Sequence, residues 1–330
     1  AEDDQSIMRS PDGWDILPND NEHASAQDIW NSLVSDYPDF FDIVHSVGRV
    51  GMHLKFILDG NLQPALCSTQ NSTLAKLTGQ VFGAASRQRV GKALRYLISQ
   101  GLRQLPEGRR LGIIEICEGP PSFALDACLA MDFNCGDYIF ASTSADSLEA
   151  TTQLKERFPF IDARLLNTMT EHSEPAPVCQ LAIVTLDATT PDAAMNTLKY
   201  ARTCLTPGGS LIVIGQHPSR WVDFVFGVEP EHWSLSKNGT LLSNQCTALF
   251  WQQQLQQLNF STPDILELSP DTLTGPYLLT AQLTTEALPA SSSNEAMPRS
   301  WILLADQDGF SAQLSDKLTN SLQTKGDIVV

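Results

Sequence analysis

Residues Ile113 to Phe123 read "IIEICEGPPSF", an apolar run followed by an acid, a short loop and helix-forming sequence. That order opens many nucleotide-type cofactor sites, because a strand-to-helix loop offers backbone amides to an anionic ligand. Such a loop needs glycines, which let the backbone approach the ligand closely. Here Cys117, Glu118, Pro120 and Pro121 surround a single Gly119.

Other residues capable of chemistry form no recognisable set. The seven cysteines, at 67, 117, 128, 135, 179, 204 and 246, contain no CxxC pair and read as reduced core residues, so no zinc site is expected. His217, Glu231 and His232 form the nearest metal-like grouping but lack helical register, and no metal site is expected there. Ser122 sits in "GPPSF", which is not a GxSxG elbow. A hydrolase or dehydratase using His217, Asp187 or a cysteine is one reading these residues leave open.

The elements that would position these residues follow from periodicity. Residues 1–25 carry turn chemistry (Pro11, Gly13, Pro18, Asn19, Asp20, Asn21) and read as a linker. Residues 26–105 read as a helical cap, with apolar spacings of three and four interrupted at Pro38, an end at Gly60 and a second helical stretch from about Val81 to Leu105. Strands and helices then alternate from Leu111: "LGIIEIC", "DYIFAS", "DARLLN", "CQLAIVTL" and "GSLIVIG" are strands, the last introduced by Pro207-Gly208-Gly209. Short apolar strands between helices indicate a parallel sheet covered on both faces. "DILELS" and "YLLTAQL" suit a closing antiparallel pair. The expected fold is α/β, a class I methyltransferase-like, Rossmann-like sheet of seven strands in the order 3-2-1-4-5-7-6, with an N-terminal helical lid over a core at residues 106–285.

A net charge of -17, with only 21 Lys and Arg, argues against nucleic-acid or anionic-membrane surfaces. No apolar run reaches the roughly 18 residues of a spanning helix, and "AEDDQSIMRS" is acidic where a secretory signal is basic, so a cytoplasmic address is expected.

Several long strings carry a resemblance beyond this pattern. "VGRVGMHLKFILDGNLQP", "YIFASTSADSLEATTQLKERFPFIDARLLN", "YARTCLTPGGSLIVIG" and "HPSRWVDFVFGVEPEHW" are similar to segments of the C-methyltransferase domain of modular type I polyketide synthases, over about residues 26–285. After a linker at 286–300, residues 301–330 ("WILLADQDGF" onward) resemble the start of a ketoreductase structural element. A lone strand, helix and strand cannot bury both faces, so this unit is expected to dock on the preceding domain.

The resemblance implies an S-adenosylmethionine loop of the form E-x-G-x-G-x-G and shows where this chain departs from it. Glu115 matches the leading acid, but the three glycine positions fall on Cys117, Gly119 and Pro121. Two successive prolines remove two amide donors. Glu118 stands where the ligand's carboxylate would sit, and like charges about 4 Å apart at an effective dielectric near 20 repel by about 4 kcal/mol, roughly a thousandfold in affinity. The acid that would hold the ribose corresponds to Ser142. The catalytic His falls on Thr189 or Thr190, and its paired Glu falls on Ile214. Thr cannot serve as the base for enolate formation.

These losses imply a degenerate pseudo-methyltransferase without cofactor or catalytic residues, structural in role, with the ketoreductase and acyl carrier protein of the same synthase as partners. An active enzyme using S-adenosylmethionine on carrier-bound β-ketoacyl intermediates is the alternative. Glu115 itself reads equally as a strand-end acid capped by backbone amides.

Overall fold

The computed structural model describes residues 7–11, 13–16, 24–60, 83–106, 108–117, 123–131, 136–166, 177–186, 190–227, 232–235, 239, 241–269, 275–284, 300–301 and 328–329. The chain divides into two compact units, residues 1–285 and 286–330.

The first unit opens with a hairpin inside the stretch read as linker. β1 (Ile7–Ser10) pairs antiparallel with β2 (Gly13–Ile16). Gly13 takes φ +145°, a value that L residues rarely adopt, which lets so short a turn close. Four-residue strands offer too little alternation to be seen by periodicity.

The cap follows. α1 (Ala26–Asp36) begins at Ser25, whose Oγ accepts from the Asp28 N–H at 3.1 Å. A 3-10 turn at Pro38–Phe40 breaks the run where Pro38 lacks an amide donor, and α2 (Phe41–Leu58) continues it. α1 buries no residue. α3 (Ala84–Gln104) behaves differently, since Val90, Leu94 and Ile98 are at most 1% exposed and belong to the same apolar cluster as the central strand. The last helix of the region read as a cap is therefore a layer of the sheet's own core.

The sheet contains β3 (Leu111–Ile116), β4 (Gly136–Ser142), β5 (Ile161–Leu165), β6 (Cys179–Thr185), β7 (Leu205–Gln216), β10 (Asp264–Glu267) and β11 (Pro276–Gln282). Their spatial order is β5-β4-β3-β6-β7-β11-β10, which is 3-2-1-4-5-7-6 counted along the chain. β3 to β7 pair in parallel, whereas β11 runs antiparallel to both β7 and β10. Ile113, Ile114, Glu115 and Ile116 are fully buried, as expected of a strand covered on both faces. Pro207-Gly208-Gly209 does not precede the fifth strand but interrupts it. The pairing of β6 with β7 jumps from Cys179–Leu205 to Leu181–Ser210, and Gly208 sits at φ +76°.

The helices α4 (Ala124–Ala130), α5 (Ala145–Arg157), α6 (Pro191–Cys204) and α8 (Ala248–Gln257) connect the strands, and α7 (Arg220–Phe226) follows β7. α3 and α4 pack on one face of the sheet, α6 and α8 on the other. Val222, Val225 and Phe226 of α7 pack with Trp221 against Ile43 and Val47 of α2, which seats the cap. A separate hairpin joins β8 (Trp233–Leu235) to β9 (Leu241–Ser243). Among the described residues no helix is long and apolar enough to cross a membrane.

In the second unit, β12 (Ser300–Trp301) pairs in parallel with β13 (Ile328–Val329). The helix expected between them lies outside the described residues.

Candidate functional site

Strand alternation decides where Glu115 points. Ile114 and Ile116 face the α6 and α8 layer, so Glu115 shares the opposite face with Ile113 and Cys117. It is fully buried there. Its Oε1 accepts the Phe123 N–H at 3.2 Å, at the start of α4, and its Oε2 accepts the Tyr138 hydroxyl of β4. Burial raises its pKa from 4.5 to about 7, against the lowering pull of Tyr138, the Phe123 amide and Arg87. Both carboxyl oxygens are thus used inside the protein, as a capped strand-end acid would be. Glu118, Gly119, Pro120 and Pro121 lie outside the described residues. Cys117 is buried, and its N–H donates to the Ala141 carbonyl at 3.4 Å.

Ser142 ends β4 fully buried, with its Oγ accepting from the Ser144 N–H at 3.1 Å. Ser144 in turn caps α5 through the Ser147 amide. Thr190 caps α6, its Oγ1 accepting the Ala193 N–H at 3.2 Å with Pro191 at the first helical position. Thr190→Ala should therefore cost about 1 kcal/mol of stability, measurable as a shift of the urea midpoint. Thr189 and Asp187 lie outside the described residues. Ile214 is fully buried and clusters with Ile183, Ile212 and Leu278, so its side chain is a core group.

The structure pairs the two histidines of the metal-like grouping with different acids. His217, just past β7, places Nε2 3.0 and 3.2 Å from the two carboxylate oxygens of Glu267 on β10, and its ring lies 4.7 Å from that of Tyr277. The Tyr277 hydroxyl donates to the Cys246 carbonyl at 3.0 Å. Sequence reasoning missed Glu267, because the two residues meet only through the antiparallel closure of β10 and β11. His232 Nε2 lies 2.8 Å from Asp223 Oδ1, and Ser243 Oγ donates to the same oxygen at 2.7 Å. Ser243 is also 3.3 Å from Nε2, so serine and acid share one ring nitrogen. A nucleophile relay needs them on opposite nitrogens, so these three residues form a structural knot. Glu231 lies outside the described residues. Among the described residues no group of three or more His, Cys, Asp or Glu could hold a metal ion.

Burial holds the thiols of Cys128, Cys179, Cys204 and Cys246 away from reactivity. Burial pushes Cys128 up to about 12 and both Cys179 and Cys246 up to about 11, far from thiolate character near neutral pH. Cys67 and Cys135 lie outside the described residues. At the carboxyl ends of the strands, Gln216, Asn244, Gln245 and Tyr277 line a cavity of about 10 Å³, the size of one water. A depression of about 750 Å³ lies at the opposite edge, between α3 and the strand starts, where Asp264 is the ionisable lining residue. Ligand sites of such sheets lie at the carboxyl ends, so the large depression is in the wrong place for a nucleotide-type cofactor.

Comparison with solved structures places the fold. The chain aligns with the CurJ carbon methyltransferase over 86% of its length and 77% of that chain, with a TM-score of 0.68 at 20% identity. It aligns with the CMeT domain of the citrinin polyketide synthase over 86% and 76%, with a TM-score of 0.70 at 16% identity. The fold is that of a class I methyltransferase. The DszA carbon methyltransferase also matches, over 85% and 76%, with a TM-score of 0.66 at 16% identity. No protein-family model and no curated protein sequence matches the chain. Of these three neighbours, two are named as carbon methyltransferases and one as a polyketide synthase domain.

Proposed function

We propose that this chain is a catalytically silent, methyltransferase-like domain of a polyketide synthase module. In this reading it acts as a structural element beside the ketoreductase and helps to place the acyl carrier protein. The observation that carries the reading is Ser142. A ribose-holding site needs a carboxylate at the end of β4, and the residue there is a fully buried hydroxyl turned to the Ser144 amide. Glu115 supports it, since both its oxygens are bonded beneath α4. So does Thr190, whose hydroxyl is a helix cap. The described residues therefore do not fit S-adenosylmethionine.

Retention of the sheet alongside these changes is what a scaffolding role requires. Calorimetric titration with S-adenosylmethionine is expected to give no binding at micromolar concentrations. A stoichiometric isotherm with micromolar Kd would overturn the reading. It would favour the alternative that the likeness to carbon methyltransferases raises, an active C-methyltransferase acting on carrier-bound β-ketoacyl groups.

A further inference from the structure

We propose that helix α3 is locked to the sheet by a charge clasp centred on Asp126, so that it opens only when the core opens and does not act as a moving lid. This concerns motion, and it stands whether or not the domain methylates anything.

Asp126, on α4, is 6% exposed. Arg87 Nη2 lies 2.5 Å from its Oδ2, a contact of charges without hydrogen-bond alignment, and Arg95 Nε lies 3.2 Å from its Oδ1. The two arginines are about two turns apart on one side of α3, with Gly91 between them. A Cβ at Gly91 would fall 2.7 Å from Arg87 Nη1 and 2.8 Å from Asp126 Cγ, so the missing side chain is what lets the α3 backbone come down onto the clasp. The Arg87 guanidinium also lies 4.6 Å above the Phe123 ring.

The Phe123 amide is held by Glu115 of β3, and Glu115 by Tyr138 of β4. A continuous set of contacts thus runs from α3 through α4 to the two central strands. Lids over cofactor sites work by swinging away from the sheet. Lifting α3 would part Asp126 from both arginines and uncover Val90, Leu94, Ile98 and Phe123 in the same movement. Both penalties fall at once, which makes opening cooperative with the core.

Native-state hydrogen exchange on the full chain tests this without cofactor. The amides of Val90, Leu94 and Ile98 are expected to exchange within about threefold of those of Ile113 to Ile116, through a shared opening. Exchange about tenfold or more faster in α3 than in β3 overturns the proposal.

Asp126→Asn should release α3, speeding its exchange by about tenfold or more relative to β3; preserved co-exchange of the two elements would show that the clasp is not the lock. Gly91→Ala gives a second reading should that variant not fold. Helix propensity favours Ala over Gly and would slow α3 exchange, whereas the clasp requires it to speed up. Slower or unchanged exchange in Gly91→Ala counts against the clasp.

Discussion

Ile214→Glu, the substitution that would return an acid to the position matched with the family's paired Glu, is expected to unfold the domain. Ile214 is 0% exposed, pairs with Thr185 of β6 and Leu278 of β11, and packs with Ile183 and Ile212. A carboxylate there would be buried without a partner, or would take up a proton and remain an unbonded polar group. The longer, unbranched glutamate also misfits the packed site of the isoleucine, which adds about 1 to 3 kcal/mol to a desolvation cost of several more. The sum is comparable with the whole stability of a domain, about 5–15 kcal/mol. Circular dichroism at 25 °C should show loss of cooperative thermal unfolding. A folded variant with a melting temperature close to that of the parent would mean that position 214 is not the core site described.

That expectation separates what the sequence displays from what it hides. β3 to β7 are visible because strands buried on both faces must be apolar almost throughout, and "LGIIEIC" and "LAIVTL" leave few other readings. The closing pair is visible because Gly and Pro punctuate it. The interruption at Pro38 is visible for the same reason. The hairpin at residues 7–16 is hidden because its strands are four residues long and their pairing depends on the backbone of Gly13.

Side-chain pairing is hidden for another reason. His217 and Glu267 come within bonding distance only after β11 has inserted between β7 and β10. The Arg87, Asp126 and Arg95 clasp depends on a helix from the cap region settling on the sheet, whereas composition alone groups that helix with α1 and α2. Glu115 is the intermediate case. Its type and place mark it as a site acid, but only the period-two geometry of β3 shows that its carboxyl points under α4.

The largest pH effect is expected from that same carboxyl. Glu115 titrates near 4.5 when free in the unfolded chain and at about 7 in the folded protein, with burial as the main cause. Below pH 4.5 both states hold the proton and the group does not bias folding. Between 4.5 and 7 the unfolded chain releases its proton while the folded one keeps it, so the proton-linked stability is lost as the pH rises through this window. Each pH unit is worth about 1.4 kcal/mol, or about 3 kcal/mol across the interval.

Glu115→Gln removes the titration while keeping an oxygen for the Phe123 amide and an amide group beside the Tyr138 hydroxyl. The stability difference between this variant and the parent should therefore move by about 3 kcal/mol in the variant's favour from pH 4 to pH 8. Urea unfolding at those two pH values measures it, and the constant offset from altered hydrogen bonding cancels in the comparison. A difference that stays level across the range would mean that the Glu115 carboxyl titrates alike in the folded and unfolded chains, the bonds from Tyr138 and Phe123 offsetting its burial.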